Sequence, residues 1–149
     1  MSPRRFLARA LSVCVLVALR IGNAAEARPS ITVGEISANG SSADAPTLDL
    51  FRSLVEREIA RLELDRATKP LHYVFSASLV RLDARATHDG TNAICVVSAT
   101  LRHENNGAII AAMQGTGSVA GDRSALPGTR ARALEVAVHG AVRHLPEAL

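Results

Sequence analysis

Residues 92–119 read NAICVVSATLRHENNGAIIAAMQGTGSV, and this stretch decides the fold. Ala93, Cys95, Val97, Ala99 and Leu101 recur at every second position, which predicts a strand over about 92–103 with one apolar face. Asn105-Asn106-Gly107 follows, and an Asn-Gly pair between two strand-like runs is the strongest short-range hairpin signal. The partner strand is expected over about 108–119, with Gly115 and Gly117 marking a bulge or a close approach of backbone.

The same period extends upstream. Tyr73, Phe75, Ala77 and Leu79 alternate along a strand expected over about 71–85, and His88-Asp89-Gly90 supplies the turn into the next one. Two short connections therefore join three adjacent antiparallel strands. Beyond them the period changes to 3.6. Leu134, Val138, Ala141 and Leu145, flanked by Ala137 and Val142, predict a helix over about 129–145, closed by Pro146. Ala131, Ala133, Ala137, Gly140 and Ala141 make that helix slim enough to lie close against a sheet.

A second stripe precedes the strands. Phe51, Leu54, Val55, Ile59 and Leu62 fall on one face of a helix expected over about 46–64, with Pro46 in its first turn. Arg52, Glu56, Arg57, Glu58 and Arg61 occupy its wet face. Upstream, the polar run NGSSADAP (39–46) is a connection, and the β-branched run ITVGEISA (31–38) is a first strand. The fold class that results is α+β: a two-layer sandwich in the order β-α-β-β-β-α, with a mostly antiparallel sheet of about four strands and two helices on one face.

One face of such a sheet carries no helix. Ser76, Ser78, Ser98 and Thr100 share its parity, but so do Val74, Val80, Leu82, Ile94 and Val96. An uncovered sheet face of that apolar content implies a protein partner, self-association, or a loop or N-terminal segment lying over it. The candidate binding residues are accordingly Val74, Val80, Ile94 and Val96, with Asn106 and Gly107 at the hairpin end.

The chemical inventory is thin. The Gly115-Thr116-Gly117-Ser118 run lacks the Gly-Lys-Ser/Thr ending and helix start of a phosphate loop. No Gly-x-Ser-x-Gly elbow presents a nucleophile. Of five histidines, His139 and His144 would point about 140° apart on one helix, so they do not chelate together. His88, Asp89 and His103 would form a site only if the strand ends brought them together. With three Phe, one Tyr and no Trp there is no aromatic platform for sugars or bases. No catalytic residue, metal site or cofactor is expected, and Cys95, embedded in an apolar run, reads as a buried and inert thiol.

The first 27 residues read as an address. Arg4, Arg5 and Arg9 lead into an apolar run, ALSVCVLVAL (10–19), and Ala25-Glu26-Ala27 forms a small-x-small cleavage site. Ten helical residues span about 15 Å, half of a hydrocarbon core of about 30 Å. Cleavage is thus favoured over a membrane anchor, which leaves 28–149 as one α+β domain that is periplasmic or secreted, with no stable membrane span. Cys14 after Leu11-Ser12-Val13 resembles a lipoprotein acceptor, although the apolar run continues beyond it. The chain holds 17 basic and 14 acidic side chains. Arg4, Arg5, Arg9, Arg20 and Glu26 precede residue 28, so the remainder carries equal numbers of each sign. That balance argues against nucleic acid as a partner, since neutralising phosphates needs a basic face.

From Tyr73 to Leu149 the marks YVFSASLVRLDA, AICVVSATLRHENNGAIIAAMQGTGSVAG and RALEVAVHGAVRHL resemble a pattern of small exported bacterial proteins. The stretch is similar to the C-terminal parts of uncharacterised periplasmic proteins of predatory and social soil bacteria. More distantly it looks like the α/β domain of envelope-assembly proteins such as the curli-secretion lipoprotein and the penicillin-binding-protein activators. The resemblance implies a periplasmic interaction module and contributes no catalytic residue. The expectation is a non-enzymatic binding or accessory module of the bacterial envelope, acting by protein–protein contact at the open sheet face or an edge. The alternative is a binder of a small ligand or envelope polymer at the Asn105–Gly107 hairpin end and the Gly115–Gly117 segment, and less so a small enzyme.

Overall fold

A computed structural model describes residues 29–39, 44–64 and 71–149; the expected export signal, with Cys14, Ala25 and Ala27, lies outside them. The element order is β1 (Ser30–Ala38), α1 (Ala45–Ala60), β2 (His72–Ala86), β3 (Thr91–His103), β4 (Ile109–Gly121), a 3-10 turn (Arg123–Ala125), α2 (Leu126–Val142) and a short α3 (Leu145–Ala148). The four strands form one sheet in the order β1-β2-β3-β4. β1 runs parallel to β2, as a strand–helix–strand connection requires, and the other two pairings are antiparallel. The α+β sandwich, its β-α-β-β-β-α order and its mostly antiparallel sheet are as the sequence predicts.

Both helices contribute to a single hydrophobic cluster on one face of the sheet. Phe51, Leu54 and Val55 of α1 and Leu134, Val138 and Val142 of α2 are buried against Phe75, Leu79, Val97 and Leu101. The helices lie side by side, and Arg57 of α1 pairs with Glu135 of α2 at 2.6 Å.

Local chemistry sets the helix ends. Asp44 caps α1, accepting hydrogen bonds from the Thr47 amide at 3.1 Å and from the Thr47 hydroxyl. α1 stops at Ala60, four residues before the expected end, because its last turn tightens: the Arg61 amide bonds the Glu58 carbonyl at 3.3 Å. α2 starts earlier than predicted, at Leu126, with Pro127 presetting the first turn. It ends at Val142, so Pro146 does not terminate it. Pro146 instead sits in the first turn of α3 and brings Leu145 into the core.

One further expectation is corrected, and another is decided between its two alternatives. A bulge at Val80 places Leu79 opposite Val97 and Arg81 opposite Val96. The extra residue inverts the alternation, so Leu82 pairs with Cys95 and is buried in the core, not displayed on the open face. Around Gly115 and Gly117, by contrast, β4 pairs with β3 without a bulge. Those glycines admit α2: a Cβ on Gly115 would lie 1.8 Å from the Ala137 carbonyl oxygen, and one on Gly117 2.0 Å from that of Ala133.

Candidate functional site

The open face of the sheet is more polar than its parity suggests. Val74 stands opposite Arg102, near the start of β2. Val96 and Ile94 stand opposite Arg81 and Asp83, beyond the bulge that exposes Val80. Between these two apolar groups lie the pairs Ser76–Thr100 and Ser78–Ser98. The four valine and isoleucine side chains therefore form a lone residue and a cluster, separated by two rows of hydroxyls. Glu35, Ser37, Ser76, Ser78 and Thr100 line a shallow groove of about 170 Å³ over those rows.

Asn106 and Gly107 form the tip of the β3–β4 hairpin, at the end of the sheet away from Val80, Ile94 and Val96. Gly107 has φ +69°, and the Asn106 side-chain oxygen accepts a hydrogen bond from the Ala108 amide at 3.0 Å. That is turn chemistry, and it accounts for both residue types. The structure does not bring Asn106 and Gly107 onto one surface with the Val96 cluster, and Gly115 and Gly117 are buried under α2.

His88, Asp89 and His103 do not converge. His88 and Asp89 are fully exposed in the β2–β3 turn. His103 lies at the far end of β3, roughly 40 Å along the strand, where its ring stacks on Tyr73 with centroids 5.1 Å apart. Among the described residues no group of three or more His, Cys, Asp and Glu side chains could hold a metal ion. Nor is any helix there long and apolar enough to cross a membrane. Cys95 is buried, and desolvation pushes its thiol up to about 12.

β1 and β4 are the two edge strands, and β4 is the one without a charged side chain. It forms one margin of the sheet, and among the described residues no segment pairs with its outer side. Its sequence, IIAAMQGTGSVAG, contains no charged side chain and no proline. Ile109 is 69% exposed at its start. Natural edge strands are commonly blunted by lysine, proline or a covering loop, because bare backbone donors and acceptors recruit another strand.

A larger cavity than the groove on the open face lies at the other margin. A cleft of about 580 Å³ opens where the first turns of α1 and α2 flank the end of β2. Pro46, Thr47 and Leu50 form one wall and Leu126, Pro127 and Arg130 the other, with Leu82–Arg85 as the floor. It exists because β1 stops at Ala38, opposite Leu79, while β2 continues to Ala86. Sequence analysis missed this site. Leu50, off the α1 core stripe, was its one visible signal, and the bulge that buries Leu82 gave none.

Neither any protein-family model nor any curated protein sequence matches the chain. Solved structures do. The protein XCC0632 from Xanthomonas campestris, of the DUF330 family, aligns with TM-score 0.52 and 16% identity over 85% of this chain and 89% of its own. The hypothetical protein CT253 from Chlamydia trachomatis aligns with TM-score 0.52 and 7% identity, over 80% and 94%. A candidate lipoprotein from Caulobacter crescentus aligns with TM-score 0.45 and 18% identity, over 75% and 85%. The likeness is one of fold. A minor lipoprotein from Acinetobacter baumannii is also matched, at TM-score 0.35 and 10% identity. None of these four is named for an enzymatic activity.

Proposed function

We propose that the chain is an exported accessory module of the bacterial envelope that binds another protein by strand addition and performs no chemistry of its own. The observation that carries this reading is the free margin of β4, Ile109–Gly121, which is uncharged, proline-free and unpaired on its outer side. An added strand would satisfy its backbone groups by main-chain hydrogen bonds, and Ile109 would be covered by apolar side chains of the partner. An export signal in residues 1–27, as the sequence leads one to expect, would put the partner in the envelope. The open face is the lesser candidate surface, because its hydroxyl rows divide Val74 from Val80, Ile94 and Val96.

The test is affinity capture of the tagged full chain, expressed in its native host, from solubilised envelope after mild crosslinking. Two variants locate the surface. Ile109→Lys charges the β4 margin, and Val96→Asp charges the open face; both side chains are solvent-accessible, so the fold should persist. A partner lost with the β4 variant and kept with Val96→Asp supports strand addition at β4. A partner kept with the β4 variant sinks that reading, and its loss with Val96→Asp alone transfers the site to the open face.

A further inference from the structure

We infer that the cleft at the end of β2 is a second binding site, which takes an extended apolar peptide segment bearing a carboxylate. It is separate from the β4 margin and stands or falls without it.

Three observations converge on that occupant. The first is the floor. Leu82, Asp83, Ala84 and Arg85 all line the cleft, though successive strand residues point to opposite faces. Consecutive residues line one cavity only where it meets the strand along its backbone margin. Beyond Leu79 that margin has no neighbour among the described residues, because β1 has ended. Four residues of strand extend about 13 Å, room for a peptide of similar length to run in line with β1. A lipid tail or a compact metabolite would leave those backbone donors and acceptors unsatisfied.

The second observation is the walls. Leu50 is 39% exposed while facing a cavity whose other wall includes Leu126 and Pro127. Apolar residues flanking a bare strand margin give pockets for alternate side chains of an added strand. The cavity of about 580 Å³ lies in the range of small-ligand and short-peptide sites, far below the footprint of a folded partner.

The third is charge. Asp83 is already held by Arg81 at 2.5 Å, and Asp44 accepts hydrogen bonds from Thr47. Arg85 makes no hydrogen bond or ion pair among the described residues, and Arg130 stands on the opposite wall, near enough to help lower the Asp44 pKa. Around the cleft the acids are thus engaged by nearer partners, while Arg85 is open to a carboxylate, which a guanidinium receives through two parallel hydrogen bonds.

The experiment uses the full chain expressed with its own leader and purified. It is titrated with the peptide acetyl-Lys-Gly-Val-Leu-Val-Leu in free-acid form, with the C-terminal amide of that peptide, and with sub-micellar decanoate. Binding is read by calorimetry and by amide shifts in two-dimensional NMR. The expected result is saturable binding of the acid that moves the amides of Leu82–Arg85, weakened about tenfold by amidation or by Arg85→Glu. Leu50→Asp should weaken it about as much. Both variants change exposed side chains, and an unchanged thermal melt certifies their fold. Ile109→Lys, in β4, should leave the titration unaltered, which separates this site from strand addition at β4. Equal affinity for acid and amide overturns the carboxylate assignment. Tighter binding of decanoate than of the peptide overturns the peptide class, and no shift at Leu82–Arg85 overturns the site.

Discussion

Gly115 of β4 lies directly beneath Ala137 of α2, so close that a Cβ on the glycine would stand 1.8 Å from the Ala137 carbonyl oxygen. Gly117 repeats the relationship one turn earlier, at 2.0 Å from Ala133. The helix meets the sheet through backbone and alanine methyls, and Ala133, Ala137 and Ala141 are all buried there. A side chain at Gly115 can be accommodated only by lifting α2, which would open the core around Leu134 and Val138. Gly115→Val should therefore cost about 3 kcal/mol or more, seen as a fall in Tm of roughly 10 °C. Gly128→Ala, which meets nothing within 4 Å, should leave Tm within a degree or two of wild type. A Gly115→Val protein melting with wild type would remove this account of the interface.

Much of this packing was legible in the sequence because it repeats. The alternation Tyr73–Leu79 and Ala93–Leu101, the Asn106-Gly107 turn and the slim Ala/Gly stripe of α2 each state a local rule that the fold obeys. What was not legible depends on contacts between distant segments. Leu82 sits on the open-face parity of its strand, and only the register slip at Val80 buries it. Glu58 sits on the wet face of its helix by period, yet α2 covers it and His139 reaches its carboxylate. The cleft arises from a difference in length between two paired strands, β1 ending at Ala38 and β2 at Ala86. Such a difference has no local signature, so of the cleft residues the sequence showed little beyond a leucine off its helix stripe.

Glu58 is the buried polar group on which α1 and α2 converge. Its carboxylate is bonded by Arg61 at 3.0 Å and by the His139 ring at 3.0 Å, and its side chain is only 10% exposed. Arg57–Glu135 joins the same two helices but is roughly half exposed at both ends. Solvent screening should leave that pair with little net value, within about 0.5 kcal/mol. Glu58→Ala removes an acceptor that two donors use, and it should cost about 1–2 kcal/mol. Urea unfolding of the two single variants checks this. A larger effect from Arg57→Ala than from Glu58→Ala would reverse the assignment.

Asp44 gives the fold a dependence on acid. Hydrogen bonds from the Thr47 side chain and amide hold its carboxyl below the ordinary carboxylate range, and the charge of Arg130 adds to them. A carboxylate with a depressed folded pKa stabilises above its unfolded value of about 3.9, and that contribution is lost as pH falls through the folded value. Asp44→Ser keeps an N-cap acceptor and removes the titration. The difference in Tm between wild type and Asp44→Ser should be constant from pH 7 to about 5 and should shrink below about pH 4. A difference that stays flat through the acid range would mean that the cap works without its charge.

Cys95 should be silent as a thiol. It faces the core from the middle of β3, opposite Leu82 and Gly117, and burial alone raises its pKa to about 12. Nucleophilic attack needs the thiolate and needs access, and both are denied at neutral pH. An aromatic disulfide reagent should therefore leave Cys95 unmodified in the folded chain at pH 8 and modify it fully in guanidinium chloride. Because the reaction waits on opening of the sheet, its rate also reports the stability of the fold. Gly115→Val, which loosens α2 above β4, should speed the labelling in proportion to the stability it loses, about a hundredfold for 3 kcal/mol. Rapid labelling of the wild-type chain without denaturant would instead show that β3 is open to solvent on its helix side.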